Sequence, residues 1–165
     1  MTGTKKIFYW DSCIFISWIK NEDRKDPNDM AGVRDVIDRL KKRDVTIITS
    51  TITQTEVGAC NVGVGVLQIF DDLLKRKNIQ RISVDIKIAQ LARTLRDHYR
   101  NCPAELDADG KLISPKTLSV PDAMHLATAI LNKVDCFHTF DKNNSKESLG
   151  LLPLTENIAG HGLKI

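Results

Sequence analysis

Four acidic residues stand where predicted strands end or predicted helices begin. Asp11 directly follows a strand predicted at residues 7–10, and Asp141 directly follows the last strand of the predicted sheet. Glu56 and Asp122 lie in the first turns of two predicted helices. Ligands of an open parallel sheet bind beyond the carboxyl ends of its strands, so we expect the four carboxylates to meet at one edge.

Four carboxylates in one place repel one another and resist ionisation unless a positive charge compensates them. A divalent cation supplies that charge, and a ligand set made only of oxygen atoms suits Mg²⁺ or Mn²⁺ better than zinc. Such an ion lowers the pKa of a bound water and stabilises the leaving oxygen in phosphodiester cleavage. Each acid taken alone also fits a helix cap or a partner for the helix dipole. The four taken together favour a metal-dependent site for phosphodiester cleavage.

The elements that position these acids alternate between strand and helix along the chain. Apolar and β-branched runs predict buried strands, and apolar residues at helical spacing predict amphipathic helices between them. The predicted strands occupy residues 7–10, 45–49, 79–84 and 136–140, with a further short strand near residues 151–154. Residues 102–120 contain two prolines and no periodicity, which predicts a loop. The order predicts one domain over residues 1–165, with an α/β fold, a three-layer α/β/α sandwich and a mainly parallel central sheet.

The composition of the chain is that of a folded protein. Its 165 residues fit one domain, and 42% hydrophobic with 27% charged residues is an ordinary balance for a packed core. We find no apolar run of the roughly 18 residues that a membrane span needs and no signal peptide, so we expect a cytoplasmic protein. A net charge of +3 neither indicates nor excludes nucleic-acid binding. The four cysteines contain no Cys-x-x-Cys pair, so we interpret them as small buried apolar residues rather than zinc ligands.

Four short segments carry a family resemblance. They are Phe-Tyr-Trp-Asp-Ser at residues 8–12, Thr-x-x-Glu at residues 53–56, Pro-Asp-Ala-x-His-Leu-Ala-Thr at residues 121–128 and Thr-Phe-Asp-Lys at residues 139–142. Together they resemble the motifs of PIN-domain nucleases, and in size the chain is similar to the toxin nucleases of VapBC-type toxin–antitoxin pairs. The third segment is the most specific, because helices of that family commonly begin with an Asp-Ala step.

This resemblance implies a PIN-like fold and an endoribonuclease that depends on Mg²⁺ or Mn²⁺ and cleaves RNA with a metal-activated water. It implies that the catalytic and metal-binding residues are Asp11, Glu56, Asp122 and Asp141. Ser12 and Thr139 match polar residues that support the acids in the family. It further implies a cognate antitoxin protein and a homodimer. Two alternatives stay open: a PIN-type nuclease that processes RNA or cleaves DNA without an antitoxin, and a catalytically weak nucleic-acid-binding module.

Basic residues and one histidine complete the set of candidates. Arg93, Arg96 and Arg100 are spaced at i, i+3 and i+7 on one predicted helix, away from its apolar face, and they are the best candidates for contact with RNA phosphates. His125 lies three residues after Asp122 and can share its helix face, where it could orient a water or a phosphate. A packed or surface position without a chemical role is nevertheless the commoner use of a lone histidine.

Overall fold

The computed structural model describes residues 5–103, 105–106, 112–113, 115–142 and 148–165. Its strands and helices follow one another in nearly the predicted order. The elements are β1 (Lys6–Trp10), α1 (Ser12–Ile19), α2 (Pro27–Lys41), β2 (Val45–Ser50), α3 (Ile52–Ala59), α4 (Val64–Leu74), β3 (Ile79–Ile82), α5 (Ile86–Arg100), β4 (Glu105–Leu106), β5 (Leu112–Ile113), α6 (Val120–Leu131), β6 (Cys136–His138) and a 3₁₀ helix (Leu152–Leu154). Four strands form a parallel sheet in the order β3-β2-β1-β6.

Strand β1 lies in the middle of this sheet, and its side chains alternate between two hydrophobic cores. Ile7 and Tyr9 pack with apolar residues of α5 and α6 on one face. Phe8 and Trp10 pack with apolar residues of α1, α2 and α4 on the other face. Successive side chains of a strand point to opposite faces of the sheet, so helices cover both faces. The predicted three-layer α/β/α sandwich with a parallel sheet is confirmed.

The structure corrects the sequence prediction in three places. Strand β6 ends at His138, so Asp141 lies three residues beyond the strand and does not follow it directly. The predicted strand near residues 151–154 is wrong, because Leu152–Leu154 forms a 3₁₀ helix around Pro153, which has no N–H for a strand ladder. Within the predicted loop, β4 and β5 form a short antiparallel pair. Residues 104, 107–111 and 114 of that loop lie outside the described part of the chain.

Helix α6 carries Asp122 and His125 and is buried on most of its circumference. Ser119 is its N-cap, and the fully buried Ala123, Leu126 and Ala127 lie in the core that α6 shares with α5. A helix that is apolar on nearly all sides is stable only when neighbours cover it. Although α6 is hydrophobic, it has only 12 residues. No described helix has the length and hydropathy that a bilayer span requires.

Candidate active site

Each of the four predicted acids lies on a different segment, beside the carboxyl ends of the strands. Asp11 follows β1 directly and is the N-cap of α1. Glu56 lies on α3, the helix that follows β2, and Asp122 lies in the first turn of α6. Asp141 follows β6. Burial raises the pKa of Asp122, and the negative charges of Asp141 and Glu56 raise it further, so these three carboxylates are near enough to interact.

Asp11 is the most buried of the four, with 5% of its surface exposed. Burial raises its pKa, and hydrogen bonds from Cys13 and Thr139 offset part of that effect. The Cys13 thiol donates to Asp11 Oδ1 over 2.8 Å, and the backbone N–H of Phe140 donates to Cys13 Sγ over 3.0 Å. The interpretation of the cysteines as buried apolar residues is therefore wrong, because all four are only partly buried and Cys13 makes polar contacts.

Ser119 contacts Asp122 in two ways at the start of α6. Its Oγ accepts the backbone N–H of Asp122 over 3.2 Å, which caps the helix, and its hydroxyl donates to Asp122 Oδ2. This pairing differs from a capping box, because the Asp122 carboxylate accepts the Ser119 hydroxyl and not the Ser119 backbone N–H. The contact holds one carboxylate oxygen at the positive end of the helix dipole.

Glu56 is held by an imidazole and a hydroxyl. His125 Nε2 lies 2.7 Å from Glu56 Oε2, and the Ser12 side chain also hydrogen-bonds to Glu56. Burial by itself raises the pKa of Glu56, but the hydrogen bond and electrostatic attraction of His125, together with Ser12, outweigh it and lower the pKa. Glu56 is therefore an ionised carboxylate at neutral pH.

Thr139 links two of the acids. The backbone N–H of Asp141 donates to Thr139 Oγ1 over 3.0 Å, and the Thr139 side chain hydrogen-bonds to Asp11. The carboxylate of Asp141 is held from another side, because the N–H of Leu151 donates to its Oδ2 over 3.2 Å. Each of the four carboxylates is thus oriented by at least one donor from the surrounding chain.

The negative charge of the four acids is poorly compensated. Among the described residues, His125 contacts Glu56 over 2.7 Å, and no lysine or arginine pairs with any of the four. The described part of the chain likewise contains no group of three or more His, Cys, Asp or Glu side chains already arranged to hold a metal ion. The residues fit Mg²⁺ or Mn²⁺ by their chemistry, since they are oxygen donors whose charges disfavour one another without a cation. They do not form a ready-made ligand cluster.

His125 belongs to this site, which the sequence did not establish. It is 2% exposed and contacts Glu56, from which it is separated by 69 positions in the chain. The helical spacing links His125 to Asp122 but gives no sign of the distant glutamate.

The structure does not bring the three predicted arginines to the acids. Arg93, Arg96 and Arg100 line a groove of about 380 Å³ between α5 and α6. The Arg96 Nε–H donates to the carbonyl of Leu118 over 2.9 Å. Arg93 and Arg100 pair with Asp97 at 3.6 and 3.4 Å. Arg96 therefore has a structural partner, and the other two arginines are exposed around a carboxylate.

The groove lies behind α6 relative to the site. Val120 and Met124 form its α6 wall, and each is two residues from Asp122 along the helix. Two residues correspond to about 200° of rotation around an α-helix, so these side chains face away from Asp122. A ligand that contacts both the acids and the arginines would have to cross the start of α6.

Comparison with known proteins gives the family. The sequence profile of the PIN domain matches residues 8–146, a range that includes all four acids, and the chain belongs to the PIN domain family. Membership of this family supports a nuclease activity and confirms the resemblance seen in the motifs. A search of curated proteins gave no significant match.

Several solved structures share the fold. VapBC2 from Rickettsia felis, bound to a DNA fragment from its promoter, has a TM-score of 0.59 and 17% identity over 96% of this chain and 97% of that chain. Mycobacterium tuberculosis VapC20, described as a Sarcin-Ricin loop cleaving toxin, has a TM-score of 0.54 and 12% identity over 82% and 91%. A toxin–antitoxin complex from Klebsiella pneumoniae has a TM-score of 0.49 and 19% identity over 86% and 98%. At these identities the likeness to VapBC2 and VapC20 concerns the fold alone.

Proposed function

We propose that this chain is an endoribonuclease that hydrolyses RNA phosphodiesters with the help of Mg²⁺ or Mn²⁺. One observation carries the proposal: four carboxylates from four parts of the chain lie at the carboxyl edge of the sheet, with the pKa values of Asp11 and Asp122 raised mainly by burial. Among the described residues no lysine or arginine neutralises them. Such an arrangement costs stability unless a cation joins it, which favours a functional reason for it.

The four acids have distinct proposed roles. Asp11, Asp122 and Asp141 are the ligands of the cation, and Glu56 either ligates it or holds a water beside it. When bound, the ion lowers the pKa of a water and offsets the charge that develops on the phosphate. Ser12 and Thr139 keep Glu56 and Asp11 in place through the hydrogen bonds described above.

RNA is the proposed substrate and a small antitoxin protein the proposed partner. The support is the fold shared with VapC20, described as cleaving the Sarcin-Ricin loop, and with the VapBC2 pair. Arg93 and Arg100 are the proposed phosphate contacts, since both are exposed on the groove beside α6. A homodimer and a location in the cytoplasm remain predictions.

Cleavage of structured and single-stranded RNA by the purified protein tests the proposal, in Mg²⁺, in Mn²⁺ and in EDTA. We expect cleavage with either ion, none in EDTA, and a loss of at least about 100-fold in Asp122→Asn, because one ligand charge is removed. Asp35→Asn is the matched control, since Asp35 is an exposed acid of α2 that pairs with Arg39 outside the site. Near-wild-type cleavage by a folded Asp122→Asn protein would contradict the site assignment.

The toxin role has its own test. If a gene for a small protein lies beside the gene for this chain, its purified product should bind the chain and suppress cleavage. Cleavage of RNA that this product leaves unchanged would favour a processing enzyme, and cleavage of DNA in the same buffers would favour a deoxyribonuclease.

A further inference from the structure

A buried line of hydrogen bonds runs from the backbone of β2 to Glu56. The N–H of Ser50 donates to Tyr9 Oη over 3.1 Å, Tyr9 Oη lies 2.7 Å from His125 Nδ1, and His125 Nε2 lies 2.7 Å from Glu56 Oε2. Ser50 and Tyr9 are fully buried and His125 is 2% exposed. The line joins β2, β1, α6 and α3, so it ties the two middle strands to the helices that carry Glu56 and Asp122.

The protons of this line can be assigned so that every group is satisfied. A tyrosine phenol carries its proton at neutral pH. Tyr9 Oη accepts the Ser50 N–H and also hydrogen-bonds with the Thr128 side chain, and in this assignment the phenol donates its own proton to His125 Nδ1. The ring then carries a proton on Nε2 and donates it to Glu56 Oε2. A protonated imidazole would present the same Nε2–H to the carboxylate.

We propose that His125, itself held by Tyr9, is a positioning residue that fixes the Glu56 carboxylate for binding of the divalent cation. The proposal rests on the proposed function, in which Glu56 faces that cation. His125 binds only Oε2, so the other oxygen of Glu56 is outside this contact. Partners of this kind, one contact removed from a metal, set the orientation of the ligand and change metal affinity by about 10- to 100-fold when they are lost.

A purely structural role makes a different prediction. His125 is buried beside the core that α5 and α6 share. In a purely structural role, its one contribution is to complete the hydrogen bonds of its buried polar neighbours. In that case a substitution lowers the stability of the fold, but the folded molecules bind the cation as before. Metal affinity measured on folded protein therefore separates the two roles.

Two amide variants separate the two ring nitrogens. The Gln side chain places an N–H donor near the position of Nε2, so His125→Gln keeps the contact with Glu56. The Asn side chain ends near the position of Nδ1, so His125→Asn keeps only the contact with Tyr9. We expect Mn²⁺ titration by calorimetry to give about 10-fold weaker binding for His125→Asn than for His125→Gln, with cleavage reduced in the same order.

A double-mutant cycle tests whether the effect passes through Glu56. In a Glu56→Gln background, His125→Asn should cause no further loss of Mn²⁺ affinity, because the carboxylate it orients has gone. An equal loss in both backgrounds would overturn the proposal, and so would wild-type affinity in folded His125→Asn. Should that variant fail to fold, Tyr9→Phe in the same two backgrounds carries the same test with a smaller expected effect.

A measurement without metal keeps this inference separate from the proposed function. In wild-type protein labelled with ¹⁵N-histidine and kept in EDTA, NMR should find a proton on His125 Nε2, and Glu56→Gln should shift its signal. A ring protonated only at Nδ1 would overturn the positioning role, whatever the metal result. A wild type that shows this signal but binds no Mn²⁺ and cleaves no RNA would instead overturn the proposed function, and the inference with it.

Discussion

At the residue scale, the acids of this site serve the fold and the candidate chemistry together. Asp11 accepts the N–H of Ile14 and caps α1, while Asp122 exchanges hydrogen bonds with the N-cap of α6. Capping a helix and binding a cation are alternatives when only the sequence is considered. In the structure the two are compatible, because a helix that starts at the carboxyl end of a strand brings its capping acid to the edge where ligands bind.

Removal of the Asp122 charge should stabilise the metal-free protein. Burial and the neighbouring acids raise the pKa of Asp122, so the native state binds a proton more tightly than the unfolded state does. The stability that protonated Asp122 contributes to the native state is therefore lost as pH rises through the native pKa of this group. We expect Asp122→Asn to unfold at a higher Tm than the wild type in EDTA at pH 7.

Addition of a cation should reverse the order of the Tm values of the wild type and Asp122→Asn. Mn²⁺ that binds only the native state raises the Tm of the wild type by mass action, and it should raise that of Asp122→Asn much less. Thermal unfolding at several Mn²⁺ concentrations measures both effects. An Asp122→Asn protein that is less stable than the wild type in EDTA would show that the capping contact outweighs the repulsion.

At the element scale, the sequence predicted what local patterns determine. The strands β1, β2 and β3 and the helix α6 have strong apolar patterns, and the positions of Asp11, Glu56 and Asp122 follow from them. Strand β6 is shorter than predicted, because only Cys136–His138 pairs with β1. The contact of His125 with Glu56 joins positions that no local pattern relates, so it could not be read from one sequence.

Helix α5 holds the start of α6 through one of its arginines. Arg96 Nε–H donates to the carbonyl of Leu118, and the Thr117 hydroxyl donates to the carbonyl of Arg96, so two hydrogen bonds fix the segment that precedes Ser119. Arg93, one turn earlier on α5, pairs with Asp97 at the surface. The two arginines of one predicted stripe therefore have different roles in the structure.

Substituting each arginine by glutamine should show this difference. Arg96→Gln should lower the free energy of unfolding by about 1.5 kcal/mol, because a partly buried hydrogen bond from a charged group is lost. Arg93→Gln should change it by less than about 0.5 kcal/mol, and should instead weaken RNA binding and reduce its dependence on salt. Urea unfolding and RNA titration at two salt concentrations measure these effects. Equal losses of stability in both variants would contradict the assignment.

At the scale of the whole molecule, the sheet separates two cores and its carboxyl edge collects the charge. Tyr9 lies in the core beside α5 and α6, and Trp10 lies in the core beside α1 and α2. Asp11 comes directly after the last residue of β1, at the edge of both cores. Acids at this edge are costly on their own, so the free energy that keeps them there must come from the apolar packing beneath. The free energy of unfolding, and its dependence on pH, therefore depend on titratable side chains that connect the sheet to these two cores.

His138 is such a group, on the opposite side of β1 from β2. Its Nδ1 accepts the Trp10 Nε1–H over 2.9 Å, and its ring packs on Phe8 at 4.8 Å between centroids. Burial, with the charge of Arg39, lowers the pKa of His138 to about 4. The unfolded chain protonates this histidine near pH 6.5, before the native state does, so its contribution is complete above pH 6.5 and is lost as pH falls to about 4.

His138→Asn isolates this contribution, because Asn Oδ1 takes the place of Nδ1 as acceptor for Trp10 and does not titrate. Carboxylates titrate in both proteins over the same range, and their effects cancel in the comparison. We expect the free energy of unfolding of the wild type to fall by about 3 kcal/mol more than that of His138→Asn between pH 6.5 and pH 4, measured by urea unfolding in EDTA. Parallel curves for the two proteins would mean that the native state accepts the proton on His138 at no cost, and that the ring is open to solvent in solution.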